Sequence, residues 1–253
     1  MSGRSADATD APDVAAVRRR LDRVEDPELA RSIVELDYVD RIEVSDGRVR
    51  VAFTLPTAWC SPAFAWMMAA DARDEVDALG WVREVRVELH DHMHDEEITA
   101  GVNAGDGFGE TFPDATGGVA SVRATLADKA RLARQYDAMN ALLDAGVDPD
   151  QIVALRRSDV EVRDDGARVA LDGVTVVADG DPVASYLGKA AASGHVTDPG
   201  DRLFLTPEAD PIPIAEFETV HKRCRLAGVN MDGQGAVCDA LNEARYGSET
   251  SGP

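Results

Sequence analysis

Lysine is nearly missing from this chain. Only Lys129, Lys189 and Lys222 occur in 253 residues, and arginine supplies the rest of the positive charge. Against 26 basic residues stand 47 acidic ones, for a formal net charge of −21. Such a surface repels phosphate backbones at long range, which argues against nucleic acid as the partner. Cysteine is scarce as well. Cys60, Cys224 and Cys238 are too few and too scattered for a disulfide framework, and a reducing compartment fits them better. The longest strongly apolar run, Ala63–Ala70, is far too short to span a bilayer. The opening MSGRSADATDAPD lacks the apolar stretch of a signal peptide. A cytoplasmic protein with a short disordered tail over residues 1–12 is therefore expected. A P-loop, a Gly-rich dinucleotide fingerprint, a G-x-S-x-G and a CxxC are all absent, which lowers the expectation of an ordinary enzyme. The acids are spread along the chain, as on a solvated face, and an Asp-rich, Lys-poor surface suits a salt-adapted cytoplasm.

The hydropathy pattern predicts α+β architecture in two domains. Val14, Val17, Leu21 and Val24 recur at helical spacing over residues 13–24, and Asp26-Pro27-Glu28 stops that helix. ELARSIVEL then reads as a further helical turn or two. YVDRIEVSDGRVRVAFTL alternates on both sides of Asp46-Gly47, which predicts a hairpin with strands near 38–45 and 48–55. Pro62 opens a helix whose apolar stripe runs to Gly80, and WVREVRVELH reads as a third strand. Helix, strand, strand, helix, strand makes a first α+β domain over residues 13–98. Residues 99–121 are Gly-rich and read as a linker or an ordered active loop. A second, mainly helical α+β domain is expected over 122–247, followed by a tail at 248–253. Its helices are expected at 122–145, 149–155, 183–192, 214–226 and 233–245, with strands near 159–164 and 167–171.

The stretch LPTAWCSPAFAWMM places Cys60 between two prolines at the start of the second helix. Unpaired backbone N–H groups and the positive end of a helix dipole would favour a thiolate there, the form that ligates metal. The plainer reading is a small buried apolar residue. In HDHMHDEE, His90, His92 and His94 recur at spacing two, so an extended chain would set them on one face among carboxylates. The plainer reading is a strand end running into a polar helix start. Cys224 lies in the basic HKRCRLAG, a local docking spot in an acidic protein, and Cys238, Arg245 and Tyr246 lie in CDALNEARYG. Cys238 and Leu241 share one helical face, which also suits core packing.

VEDPELARSIVELDYVDRIEV, followed by a hairpin and a T-L…C…P loop that opens a helix, resembles the small iron–sulfur cluster assembly domain of SufT and PaaD proteins. Two departures stand out: Asp37 replaces the usual glycine, and Ser61 separates the cysteine from its proline. LPTAWCSPAFA, DHMHDEEITAGV, GFGETFP and CDALNEARYG are similar to a longer subgroup associated with soluble diiron monooxygenases. The resemblance implies an accessory role in cluster assembly or maturation rather than catalysis. It implies a transient iron or iron–sulfur cluster ligated by Cys60, with Asp26, Glu28 and His92 as further candidates near the cysteine loop. Cys224, Cys238, Arg245 and Tyr246 are the candidates for partner binding. The implied partners are a client metalloenzyme and cluster-assembly proteins, and an oligomer is compatible with the role. A metal-free adaptor for a client subunit is the alternative. A third reading starts from LLDAGVDPDQIVALRRSDVEV, which has the rhythm of a tyrosine recombinase. Val147-Asp148 stands where its first catalytic arginine belongs, and the negative charge opposes DNA binding.

Overall fold

The computed structural model describes residues 12–115, 118–171 and 173–246, the end of the last helix chiefly as backbone. The chain divides into two compact units, residues 1–123 with 234–253, and residues 124–233. Each mixes helix and sheet, as the α+β reading requires. No helix among the described residues is long and apolar enough to cross a membrane.

In the first unit, helix α1 (Pro12–Leu21) buries Val14, Val17 and Leu21, the spacing read from the sequence. The next stretch is not the expected extra helix. Two-residue strands β1 (Glu25–Asp26) and β2 (Arg31–Ser32) pair antiparallel around the Asp-Pro-Glu turn. Asp26 Oδ1 accepts the N–H groups of Glu28 at 2.9 Å and Leu29 at 3.1 Å, and Ala30 sits at φ 51°. These fix a turn where a helix would otherwise continue. Ser32–Leu36 makes one helical turn, which Asp37 ends in a left-handed conformation at φ 57°. Aspartate occupies that region more readily than most residues, so the exchange for glycine is tolerated.

Strands β3 (Val39–Ser45) and β4 (Arg48–Thr54) form the expected hairpin. Asp46 and Gly47 both have positive φ, 51° and 77°, as a type I′ turn demands. Helix α2 (Pro62–Asp77) crosses over, and β5 (Glu84–His90) returns parallel to β4, in register from Arg48 opposite Glu84 to Thr54 opposite His90. The sheet order is β3-β4-β5. Its inner face carries Val49, Val51, Phe53, Val87 and Leu89, packed with Val17, Leu21, Met68, Ala72 and Val76 of the two helices.

The segment expected as a linker or ordered loop holds the end of helix α3 (Asp95–Ala104) and helix α4 (Phe108–Thr111). Its glycines serve packing and capping. A Cβ on Gly101 would lie 2.3 Å from Thr111 Oγ1, so only glycine lets α3 approach α4. Gly105, at φ 85°, caps α3. Ile98 and Val102 of α3 join the first core, so that core extends past the boundary drawn at residue 98. Helix α3 also satisfies the outer edge of β5. The Asn103 amide accepts from Val87 N–H at 2.9 Å and donates to its carbonyl at 2.7 Å, and Thr99 Oγ1 accepts from Leu89 N–H at 3.1 Å.

Helix α5 (Val119–Asp144) lies in the second unit from Ala124 on, and it and α6 (Pro149–Ala154) precede a meander of β6 (Val160–Arg163), β7 (Gly166–Leu171) and β8 (Val174–Ala178). Strand β8 was not expected from the sequence. Helix α7 (Gly180–Ala192) follows, capped by the Asp179 carboxylate on Asp181 N–H at 3.1 Å. The two helices expected at 214–226 and 233–245 form one, α8 (Phe217–Tyr246). Gly228 does not break it; a Cβ there would lie 3.9 Å from Ala133 Cβ, so this glycine marks a close helix–helix approach.

Because Val87 is buried, Asn103→Ala leaves two backbone groups of one strand edge without their partner. The variant should lose about 1–3 kcal/mol in denaturant unfolding, and Thr99→Ala, which removes one such bond, should lose less. Unchanged stability in Asn103→Ala would show that water replaces the amide at no cost.

Candidate functional site

Parallel pairing makes β4 and β5 end side by side at Thr54 and His90. The loops that follow them, 55–61 and 91–94, therefore leave the sheet at the same edge. Asp91, at φ 54°, turns the second loop sharply. Met93 N–H donates to the Ala58 carbonyl at 3.1 Å, which ties the loops backbone to backbone. A second tie runs through His92, which is buried. The ring's Nδ1 accepts from His94 N–H at 3.1 Å, so the ring proton lies on Nε2, which donates to the Cys60 carbonyl at 2.9 Å.

Cys60 is half-buried, in no disulfide, and packs at the rim of the first core. It immediately precedes Ser61, the N-cap of α2, with Pro62 in the first turn. The Ser61 carbonyl accepts from Phe64 and Ala65 N–H, whereas its side chain makes no capping bond. The thiol thus stands at the mouth of a helix, as the spacing predicted, and is not sealed inside. Beside it, Trp59 is 76% exposed and Met93 52% exposed. Trp59 could have been singled out from sequence, as a tryptophan inside a Pro-bounded turn; Met93, between two histidines, gave no such signal. A groove of about 700 Å³ opens past Ser61 and Pro62, lined further by His94, Glu97, Phe108 and Phe112. Its aromatic wall is continuous, with Phe108 5.1 Å from Phe112 and His94 edge-on to Phe112 at 5.4 Å.

The remaining candidates divide. Asp26 is buried, with Oδ1 occupied by two backbone N–H groups and Oδ2 accepting from Tyr38 OH at 3.4 Å. It holds its own turn rather than reaching for metal. Glu28, next along that turn, is half-buried. Both ring nitrogens of His92 are taken by backbone groups. Among the described residues, no three His, Cys, Asp or Glu side chains converge to hold a metal ion, so Cys60, Asp26, Glu28 and His92 do not form a chelate.

Cys224 is not a docking residue. It is fully buried in the second core, where Gln135 Nε2 lies 3.4 Å from its sulfur and burial pushes the thiol up to about 11. Cys238, Arg245 and Tyr246 lie on the last turns of α8, and their side chains fall outside the described residues.

Residues 14–89 match the family described as iron–sulfur cluster assembly protein. The match runs from α1 to the end of β5 and includes Cys60; the His92 loop and α3 lie beyond it. It supports the family resemblance of this segment and, with it, a role in iron–sulfur cluster assembly. No curated protein matches the chain.

Burial raises the Asp26 carboxyl above its ordinary 3.8, against the lowering pull of the Leu29 and Glu28 N–H bonds and the Tyr38 hydroxyl. A folded-state pKa above the unfolded one means that the native chain binds the proton more tightly. Stability from this group is therefore present at acid pH and lost as pH rises through the raised value. Asp26→Asn keeps the acceptor for both N–H groups and removes the disfavoured charge. It should melt at or above wild type at neutral pH, and the difference should close as pH falls toward 3.8. A variant that melts well below wild type at neutral pH would mean that the ionised carboxylate stabilises the turn.

Proposed function

We propose that this protein is an accessory factor that helps assemble or install an iron–sulfur or diiron cluster in a client metalloenzyme, with Cys60 as a transient ligand. The observation that carries this reading is the position of Cys60: a half-buried thiol at a helix mouth, inside the segment that matches the cluster-assembly family. The Cys60 thiol gives up its proton to water, and its thiolate donates an electron pair to iron in place of a water or donor-protein ligand that leaves. Release is ligand exchange, in which a client thiolate, imidazole or carboxylate takes the place of Cys60. Iron is the cargo of this process, and its remaining ligands would come from the donor or the client, because no closed set assembles around Cys60 among the described residues. A client oxygenase of the soluble diiron type, suggested by the sequence resemblance, is part of the same proposal.

Trp59 and Met93 favour a second reading, in which this edge only docks a client and never touches metal. Cys60→Ser separates the two. Under the main reading the variant keeps its melting temperature within a few degrees, since one half-buried sulfur is exchanged for oxygen, and loses iron retained after anaerobic loading and gel filtration. Equal iron per chain in variant and wild type would sink the metal reading and leave the adaptor.

A further inference from the structure

We propose that His92 is the positioning residue of the Cys60 loop and not a ligand to its cargo, an inference that rests on the reading of Cys60 as a transient ligand. The imidazole is buried and both its nitrogens are spent on backbone: Nε2–H on the Cys60 carbonyl at 2.9 Å, Nδ1 on His94 N–H at 3.1 Å. A ligand needs a lone pair facing the metal, and the only one on this tautomer faces the His94 amide. The bond to Cys60 has a specific effect. It fixes the carbonyl of the peptide that joins Cys60 to Ser61, while the Ser61 carbonyl is itself committed to the first turn of α2. With both peptide planes after Cys60 held, the direction of its Cα–Cβ bond is set, which confines the sulfur to the few rotamers about that bond. The backbone bond from Met93 to Ala58 holds the loop on the other side of Trp59. His92 thus joins a loop inside the family-matched segment to one beyond it, and gives the thiol a confined presentation that a loop of this length would otherwise lack.

The test uses the full chain, with Co(II) under anaerobic conditions as the probe, because thiolate coordination gives a near-ultraviolet charge-transfer band. Two readouts are taken: Co(II) affinity from that band, and the iodoacetamide alkylation rate of Cys60 followed by peptide mass spectrometry. His92→Ala removes the donor, whereas His92→Gln keeps an N–H that can reach the Cys60 carbonyl. His92→Ala should weaken Co(II) binding by roughly five- to tenfold and raise the alkylation rate by a similar factor, as expected for one lost hydrogen bond that orients a ligand. His92→Gln should stay within about twofold of wild type in both, the margin left when one bond is replaced by a similar one. Equal, severe loss of Co(II) binding in both variants would overturn the inference, since glutamine rescues a donor but not an imidazole ligand. Unchanged readouts in His92→Ala would overturn it too. If His92→Ala does not fold, His92→Gln alone decides: near-wild-type readouts support the inference and a large loss overturns it. Should wild type and Cys60→Ser bind Co(II) alike, the ligand reading of Cys60 fails, and alkylation still decides whether His92 positions the loop.

Discussion

Two parallel strands cannot be joined by a tight turn; the chain must cross from the end of one to the start of the other. Here α2 makes that crossing between β4 and β5, and much about the candidate site follows. Because the strands run the same way and end in register at Thr54 and His90, the segments that leave them emerge side by side. One carries Cys60 into the N-terminus of α2, the other carries His92 into α3. In open sheets with helical crossovers, the carboxyl ends of parallel strands are where binding sites gather, since loops from separate parts of the chain meet there. A one-residue slip of β5 would turn Val87 and Leu89 out of the core, so the burial that fixes the register also fixes the site.

An edge strand leaves a row of N–H and C=O groups exposed to any passing chain. Strand β5 is such an edge, and α3 answers it with the Asn103 amide on Val87 and the Thr99 hydroxyl on Leu89. The second unit uses the same device. The Gln135 amide, fully buried, donates to the Leu205 carbonyl at 2.7 Å and accepts from Leu205 N–H at 3.2 Å. Its oxygen also accepts from the buried Arg131 guanidinium, while Tyr186 OH donates to the Leu203 carbonyl at 2.5 Å. In both units a planar side-chain amide meets both backbone groups of one residue, Val87 on the edge of β5 and Leu205 outside the named strands, since it presents one donor and one acceptor at peptide-like spacing. Cys224 lies beside Gln135 in that second network, which is why a cysteine amid basic residues turns out to be interior.

Much of the first unit was legible in the sequence. Period-3.6 and period-2 patterns located α1, α2 and all three strands of the main sheet, and Asp46-Gly47 located the hairpin, because each element buries one face and the turn needs positive φ. Cys60 was placed at the helix mouth by Pro62 alone. What could not be read was long-range. Asp26 looks like a ligand in a line of text and is a turn anchor in space. His92 looks like one of three alternating imidazoles, yet Asp91 breaks the extended run with a left-handed turn, and the ring folds inward alone. In the Gly-rich segment the glycines serve helices: Gly101, with no side chain, lets α3 approach α4 closely.

The two loops form a single site, joined by the His92 imidazole at the Cys60 carbonyl. Nitrogen-15 NMR of the histidine rings tests it directly, at a pH well above the ordinary imidazole pKa of about 6.5. One ring should hold its proton on Nε2, slow to exchange with water and scalar-coupled through the hydrogen bond to the Cys60 carbonyl carbon. A His92 ring protonated at Nδ1, or one averaging freely between tautomers, would contradict it.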